Sequence, residues 1–118
     1  WGVAIGSEAV VSGLSGISIG QLSSVTEDDA IAFGHGAKAT AIKAIALGQG
    51  ADVAGKGAVG RGNGTLISKD FGVAVGGGAS VGGEQGVAIG VAAGANGLAS
   101  FAGASSSTAG GGHSGAPG

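Results

Sequence analysis

The sequence lacks cysteine, methionine and tyrosine, and it has one proline and four aromatic residues among 118. Without cysteine, disulfide bonds and thiolate metal sites are excluded. Only 10% of the residues are charged and the net charge is −2. Because no basic patch is available to contact phosphates, we expect no nucleic-acid partner. No apolar run reaches the roughly 18 residues of a membrane-spanning helix, so we expect no membrane contact by this segment.

Glycine, in contrast, is very abundant, at 30 of the 118 residues. It does not fall at every third position and there is one proline, so a collagen triple helix is excluded. The hydrophobic fraction of 43% comes mainly from Ala, Val, Ile and Leu, which is too high for a chain that stays disordered. Many small residues together with β-branched ones indicate thin, closely stacked strands.

A glycine recurs at intervals of fourteen residues along most of the chain. The seven turn glycines are Gly6, Gly20, Gly34, Gly48, Gly62, Gly76 and Gly90, and Ala104 takes the next place. Large apolar residues stand three places before the glycine in every repeat and one place before it in most, while small or apolar residues stand three and five places after it. Apolar places two apart are typical of strands. Glycine suits the turn between two strands because it reaches positive φ without a steric penalty.

These columns predict an all-β fold, a parallel β-solenoid of eight coils of fourteen residues. First strands are expected near 3–5, 17–19, 31–33, 45–47, 73–75 and 87–89, and second strands near 9–11, 23–25, 37–39, 51–53, 65–67, 79–81 and 93–95. Equivalent strands stack at about 4.8 Å, so the rod should be on the order of 38 Å long. We assign residues 1–109 to the roll and the Gly-rich residues 110–118 to a flexible tail or junction. Trp1 already lies within a repeat, so we expect the chain to be part of a longer one.

Large and small residues alternate along the first strand of each repeat. We expect the large ones to point into the core and the small ones to point outward, where the backbone of another subunit approaches closely. This predicted subunit interface consists of Ala4, Ser18, Ala32, Ala46, Gly60, Ala74, Ala88 and Ala102. The outward column of the second strand is half polar, so we expect it to face solvent. Because a thin, Gly-rich core is marginal in isolation, we expect an obligate homo-oligomer.

The fifth repeat departs from the pattern, because Arg61 stands where most repeats have a large apolar residue. A register shift or bulge in residues 57–60 would turn Arg61 outward. An ion pair between subunits is the alternative explanation.

Eight of the twelve charged residues fall at the longer turn of the repeat. They are Glu27, Asp28, Asp29, Lys43, Lys56, Lys69, Asp70 and Glu84. A charged edge of this kind is typical of a solvated ridge that blocks unwanted sheet growth. A strip that contacts a ligand is the alternative.

No motif indicates catalysis, a cofactor or a metal site. Residues 50–57 (GADVAGKG) resemble a P-loop, but Gly57 replaces the Ser or Thr that would contact magnesium, and no helix is expected to follow. His35 and His113 are far apart and have no partner at ligand spacing, so we expect both at the surface. The sequence therefore predicts a structural or binding module and not an enzyme.

Five segments carry a resemblance to a known family: residues 3–6 (VAIG), 31–34 (IAFG), 45–48 (IALG), 73–76 (VAVG) and 87–90 (VAIG). In most repeats an alanine follows three residues after the glycine. With these motifs, residues 1–109 resemble the YadA-like head of trimeric autotransporter adhesins. The resemblance implies a left-handed parallel β-roll, a homotrimer formed through the predicted interface, and display on the outer surface of a bacterium. It also implies attachment to a host matrix protein or a cell-surface receptor.

Two other functions are compatible with a repetitive β-rod. One is a trimeric structural or receptor-binding segment of a bacteriophage tail fibre, which would place the chain in a virion. The other is an ice-binding solenoid, which would need a flat ladder of threonines. The column six places after the glycine contains Thr26 and Thr40, but also Ala54, Gly82 and Asn96, so that ladder is incomplete.

Overall fold

The computed structural model describes residues 1–112 and 115–116. In this part of the chain the regular elements are short β-strands, two in each repeat. In chain order they are β1 (Val3–Ile5), β2 (Val10–Val11), β3 (Ile17–Ile19), β4 (Ser24–Val25), β5 (Ile31–Phe33), β6 (Lys38–Ala39), β7 (Ile45–Leu47), β8 (Asp52–Val53), β9 (Val59–Arg61), β10 (Leu66–Ile67), β11 (Val73–Val75), β12 (Ser80–Val81), β13 (Val87–Ile89), β14 (Gly94–Ala95), β15 (Phe101–Ala102), β16 (Thr108–Ala109) and β17 (Gly115–Ala116). The predicted first strands are present with the predicted bounds, and each predicted second strand begins one residue later than expected.

The strands form two parallel sheets. The odd-numbered strands make a nine-stranded sheet and the even-numbered strands an eight-stranded sheet, each in sequential order. Val3 pairs with Ile17 and Val10 pairs with Ser24, so paired residues are fourteen apart in the sequence. The chain is therefore a parallel β-solenoid of about eight turns, with dimensions of 40 × 20 × 12 Å. Within residues 1–112 and 115–116, no helix has the length and apolar character needed to cross a membrane.

Two turns close each repeat, and their backbone conformation shows where glycine is required. The seven turn glycines follow the first strand with φ between 125° and 135°. Two places further on, the chain adopts the left-handed conformation, as at Leu22 (φ 62°) and Gly50 (φ 68°), and it does so again in the longer turn, as at Lys43 (φ 60°). Ten of these left-handed positions hold residues other than glycine. At these seven places the φ angle requires glycine, whereas the left-handed positions of the turns also accept other residues.

The core between the two sheets is built mainly from alanine. Its largest fully buried side chains are Val25, Val53, Ile67 and Val81, all of which come from the eight-stranded sheet. The nine-stranded sheet contributes only small residues opposite them, and the packing leaves no room for more. A Cβ atom added to Gly60 would lie 2.6 Å from Cγ2 of Val53.

The structure corrects the predicted direction of the first strands. Apart from Ala4, which is exposed at the end of the solenoid, the predicted interface column is buried within the single chain. Ala32, Ala46, Ala74 and Ala88 have no exposed surface to offer another subunit. The large residues of the same strands lie on the outside instead. The physical reason is the 12 Å thickness of the coil, which admits one layer of large side chains, and the second strands already supply that layer.

The fifth repeat keeps the register of its neighbours. Arg61 in β9 pairs with Leu47 in β7 and with Val75 in β11. The predicted register shift is therefore wrong. Arg61 is exposed because its whole column lies on the outer side of the nine-stranded sheet.

A few hydroxyl groups are buried in this alanine core, and they differ in their hydrogen bonds. The Oγ atoms of Ser18 and Ser23 lie 2.7 Å apart, and Ser23 Oγ also donates to the Gly20 carbonyl at 2.7 Å. In the described residues, Oγ1 of Thr65 and Oγ of Ser100 are buried without a hydrogen-bond partner. An unpaired buried hydroxyl destabilises the folded state.

Replacing Thr65 with Val should raise the free energy of unfolding by about 1 kcal/mol, because the shape is kept and an unpaired polar atom is removed. Replacing Ser23 with Ala should lower it by a similar amount, because two hydrogen bonds are lost. Urea unfolding followed by circular dichroism measures both changes. A loss of stability in the Thr65 variant would show that its hydroxyl has a partner.

The pairing of strands continues beyond residue 109. Gly115–Ala116 form β17, in which Gly115 pairs with Phe101. The ladder thus extends into residues 110–118, which we expected to form a tail or junction. The predicted surface position of His113 lies outside the described residues.

Candidate functional site

The outer side of the nine-stranded sheet carries two columns of large apolar side chains, here called the apolar face. The columns are Val3, Ile17, Ile31, Ile45, Val59, Val73, Val87 and Phe101, and Ile5, Ile19, Phe33, Leu47, Arg61, Val75, Ile89 and Gly103. Fourteen of these sixteen positions hold Val, Ile, Leu or Phe. Because the middle residue of each first strand points into the core, its two neighbours project outward together.

None of the fourteen large apolar side chains of this face is fully buried in the single chain; five are exposed and nine are half-buried. Phe33 is 53% exposed and Ile5 is 56% exposed, whereas the core residue Ala32, the neighbour of Phe33 in β5, is fully buried. The columns run from the first to the eighth repeat without a polar interruption except at Arg61. Continuous apolar surface of this kind is unusual on a monomer and marks a surface that another molecule covers.

The opposite side of the solenoid has a different character. The outward column of the eight-stranded sheet is Val10, Ser24, Lys38, Asp52, Leu66, Ser80, Gly94 and Thr108. Five of these eight residues are Ser, Thr, Lys or Asp, and the two large apolar residues, Val10 and Leu66, are separated by polar ones, so apolar residues never form a run. This side has the composition of a solvated surface, as expected from the sequence.

The edge of the solenoid at the shorter turn is polar and carries few charges. Gln21, His35, Gln49 and Asn63 occupy the position after the turn glycine in successive repeats, and all four are exposed. Asn63 Nδ2 donates a hydrogen bond to Gln49 Oε1 at 3.4 Å. The prediction that His35 lies at the surface is therefore confirmed.

The other edge, at the longer turn, carries most of the charges. Lys43, Lys56 and Lys69 are exposed there. Two aspartates have a structural role, since Asp28 Oδ1 accepts a hydrogen bond from the Leu14 backbone N–H at 2.8 Å and Asp70 Oδ1 accepts one from the Lys56 backbone N–H at 2.9 Å. Each of these bonds fastens one repeat to the next.

A shallow open cleft lies on this charged edge. It is lined by Ser68, Lys69, Asp70, Gly82, Gly83, Glu84 and Leu98. Its charged groups have both signs and its walls lie on the surface of the turns, so it lacks the enclosed, mostly apolar lining of a small-molecule site. In the part of the chain that the structure describes, no three His, Cys, Asp or Glu side chains are placed to hold a metal ion.

The family model described as "YadA head domain repeat (2 copies)" matches residues 2–23, 26–51 and 68–93. These segments make up more than half of the chain. The chain belongs to the YadA head domain family. No curated protein matches the sequence. Within this YadA head domain, the three matched segments leave out residues 52–67, which include Arg61.

The two groups of residues predicted from the sequence, the turn glycines and the interface column, lie in different parts of the structure. The seven turn glycines lie at the turns of the YadA head domain, but the predicted interface column lies in its core. The apolar face does not follow from the sequence pattern when these large residues are assigned to the interior. A signal was available, since the position before each first strand is also small, as at Ala30, Ala44 and Ala58. Small residues two apart indicate a thin core on that side.

Proposed function

We propose that this chain is the adhesive head of a homotrimeric autotransporter adhesin, displayed on the bacterial outer surface. The head attaches the cell to a host matrix protein or a cell-surface receptor. The YadA head family and the β-solenoid fold point to a structural or adhesive protein rather than an enzyme. The family match favours the adhesin over the bacteriophage-fibre and ice-binding alternatives.

One observation carries the proposal of a trimer: the apolar face is long, continuous and uncovered in the single chain. Fourteen large side chains lie on it, and each gains on the order of 1 kcal/mol when its remaining exposed surface is buried. That total is sufficient to offset the loss of translational and rotational freedom on association. YadA heads are trimeric in general, so we assign three chains, each a left-handed roll, with their apolar faces turned towards one another.

The surfaces that such a trimer leaves exposed are the candidates for adhesion. They are the outward column of the eight-stranded sheet and the two turn edges, which together carry the polar and charged side chains. Because these surfaces lack a deep pocket within the described residues, the ligand is expected to bind across several repeats. An extended surface suits a fibrous matrix protein or a receptor ectodomain.

Assembly is tested by comparing Phe33→Asp with Thr40→Asp. Phe33 lies on the apolar face, whereas Thr40 is exposed at the end of β6 on the other sheet, so both variants add the same charge to opposite sides. Sedimentation equilibrium should give three times the chain mass of 10.6 kDa for the wild type and for Thr40→Asp. Phe33→Asp should shift the population towards monomer by about tenfold or more, since an unpaired charge is costly in an interface. A folded wild-type monomer would refute the trimer.

Attachment is tested with beads that carry the purified chain, applied to cultured host cells and to the matrix that those cells deposit. Beads with the wild-type chain should be retained severalfold better than beads with Phe33→Asp, because a weakened trimer presents fewer adjacent binding surfaces. Soluble wild-type chain should compete with the beads. Equal retention of both kinds of bead, without competition, would contradict the adhesive function while leaving the trimer intact.

A further inference from the structure

Arg61 is the charged residue of the apolar face, and the face offers it no counterion. The sixteen positions of the face contain no Asp or Glu. In the sheet Arg61 lies between Leu47 and Val75, its register partners in the neighbouring strands. Covering this face removes water from around a guanidinium that is flanked by apolar side chains, which is costly unless the charge is paired.

The nearest carboxylates in the sequence do not lie on this face. Asp52 is in the outward column of the eight-stranded sheet, on the opposite side of the coil. Asp70 lies in the longer turn, where its Oδ1 accepts the Lys56 backbone N–H at 2.9 Å. A partner chain has the same arrangement, so its apolar face also brings no carboxylate to Arg61.

The different composition of the two sides of the solenoid indicates which surfaces of neighbouring chains contact each other. If the apolar face packed against the outward column of the eight-stranded sheet, it would cover Lys38 and Asp52. Packing against the apolar faces of the other chains buries large aliphatic side chains against one another instead. Around a three-fold axis parallel to the rod, equivalent residues lie at the same height. The three Arg61 side chains therefore converge at one level, where their like charges repel.

We infer that the three Arg61 side chains bind a small inorganic oxyanion on the three-fold axis of the trimer. The inference rests on the trimer proposed above, because the site is incomplete in one chain. Guanidinium groups present planar, forked N–H donors that match the oxygens of sulfate or phosphate. Bound there, the anion neutralises the converging charges and takes the hydrogen bonds that water makes to Arg61 in the single chain. Arg61 lies in residues 52–67, outside the segments matched by the family model, and this is where the chain carries the site.

The test uses sulfate as the probe and compares wild type, Arg61→Val and Lys38→Ala. Valine occupies the same column at Val75, so Arg61→Val fits the face, and Lys38→Ala removes a cation from the opposite side. Thermal unfolding is followed in sodium sulfate and in sodium chloride of equal ionic strength. At free sulfate about ten times its dissociation constant, binding should favour the folded wild-type trimer about elevenfold. The difference between the two salts should be much smaller for Arg61→Val and unchanged for Lys38→Ala.

Two further measurements distinguish a failure of the proposed anion site from a failure of the proposed trimer. Titration calorimetry should find one sulfate for every three wild-type chains, and Arg61→Val should bind none. In sulfate-free buffer of low ionic strength, Arg61→Val should melt at a higher temperature than the wild type, because it removes the unpaired charges. A trimer whose response to sulfate does not depend on Arg61 overturns the anion site alone, with Arg61 then extending to solvent. A wild-type monomer by sedimentation overturns the proposed trimer itself.

Discussion

Replacing Ala46 with Asp should unfold the solenoid, whereas replacing its neighbour Ile45 with Asp should preserve the strands and weaken assembly. Ala46 is fully buried between the sheets, where the coil is too thin to hydrate a carboxylate. An uncompensated buried charge costs about 3–5 kcal/mol, a large part of the stability of a small domain. Ile45 is half buried on the apolar face, so a carboxylate there can reach water once the chains separate.

The two variants are a matched pair, because they place the same group at adjacent positions of β7 on opposite sides of the sheet. Circular dichroism reports the β-structure and light scattering reports the mass. Ala46→Asp should lose the β-sheet spectrum at every protein concentration. Ile45→Asp should retain it at low temperature while its mass falls. If Ile45→Asp lost more structure than Ala46→Asp, the large side chains would point inward, as the sequence alone suggested.

Strand positions could be predicted from the sequence because a solenoid repeats one local structure. The fourteen-residue spacing of the glycines sets the pairing distance, so Val3 had to pair with Ile17 once stacked strands were assumed. The fifth repeat shows the strength of this constraint. Although Arg61 breaks the apolar column, β9 keeps its register, because backbone hydrogen bonds to β7 and β11 on both sides hold it in place.

The inside and the outside of the first strand could not be read from alternation alone. Alternation separates two faces, and the usual rule then places the larger residues inside. That rule assumes a core wide enough for large residues from both sheets. Here Val53 extends from the eight-stranded sheet until its Cγ2 lies 2.6 Å from where a Cβ of Gly60 would be, so the facing column must be small. The large residues of the first strand are then displaced to the surface.

The candidate interface follows from the same correction. The interface predicted from the sequence lies on the first strands, and the apolar face lies on the same strands but on their other side. The predicted column offers no surface, since Ala74 and Ala88 are buried in the single chain. Large exposed residues with no polar partner are the stronger indication of an interface, and they could be recognised only once the thickness of the coil was known.

The turn glycines lead to a second matched pair, Gly48→Ala and Gly50→Ala. Both glycines have positive φ, 130° for Gly48 and 68° for Gly50. Around Gly50 there is nothing within 4 Å of an added Cβ, and the equivalent residue in an earlier repeat is Leu22 at φ 62°. Alanine at Gly50 should therefore cost only about 1–2 kcal/mol, the ordinary penalty of the left-handed conformation.

Gly48→Ala should be far more damaging, because two independent effects act at that position. A φ of 130° lies outside the left-handed region that residues with a Cβ can enter, and strain of this kind costs about 1–3 kcal/mol. An added Cβ would also lie 2.6 Å from the Gly62 carbonyl oxygen and 2.7 Å from its carbon. Those atoms belong to the backbone of the next coil, which cannot move aside without breaking the ladder bond from the Gly62 N–H to the Leu47 carbonyl at 2.8 Å.

The total loss of stability in Gly48→Ala should exceed about 3 kcal/mol, measured by urea unfolding of the two variants side by side. Similar losses for Gly48→Ala and Gly50→Ala would mean that the close stacking of successive turn glycines does not constrain the residue there, and that their fourteen-residue recurrence has another cause.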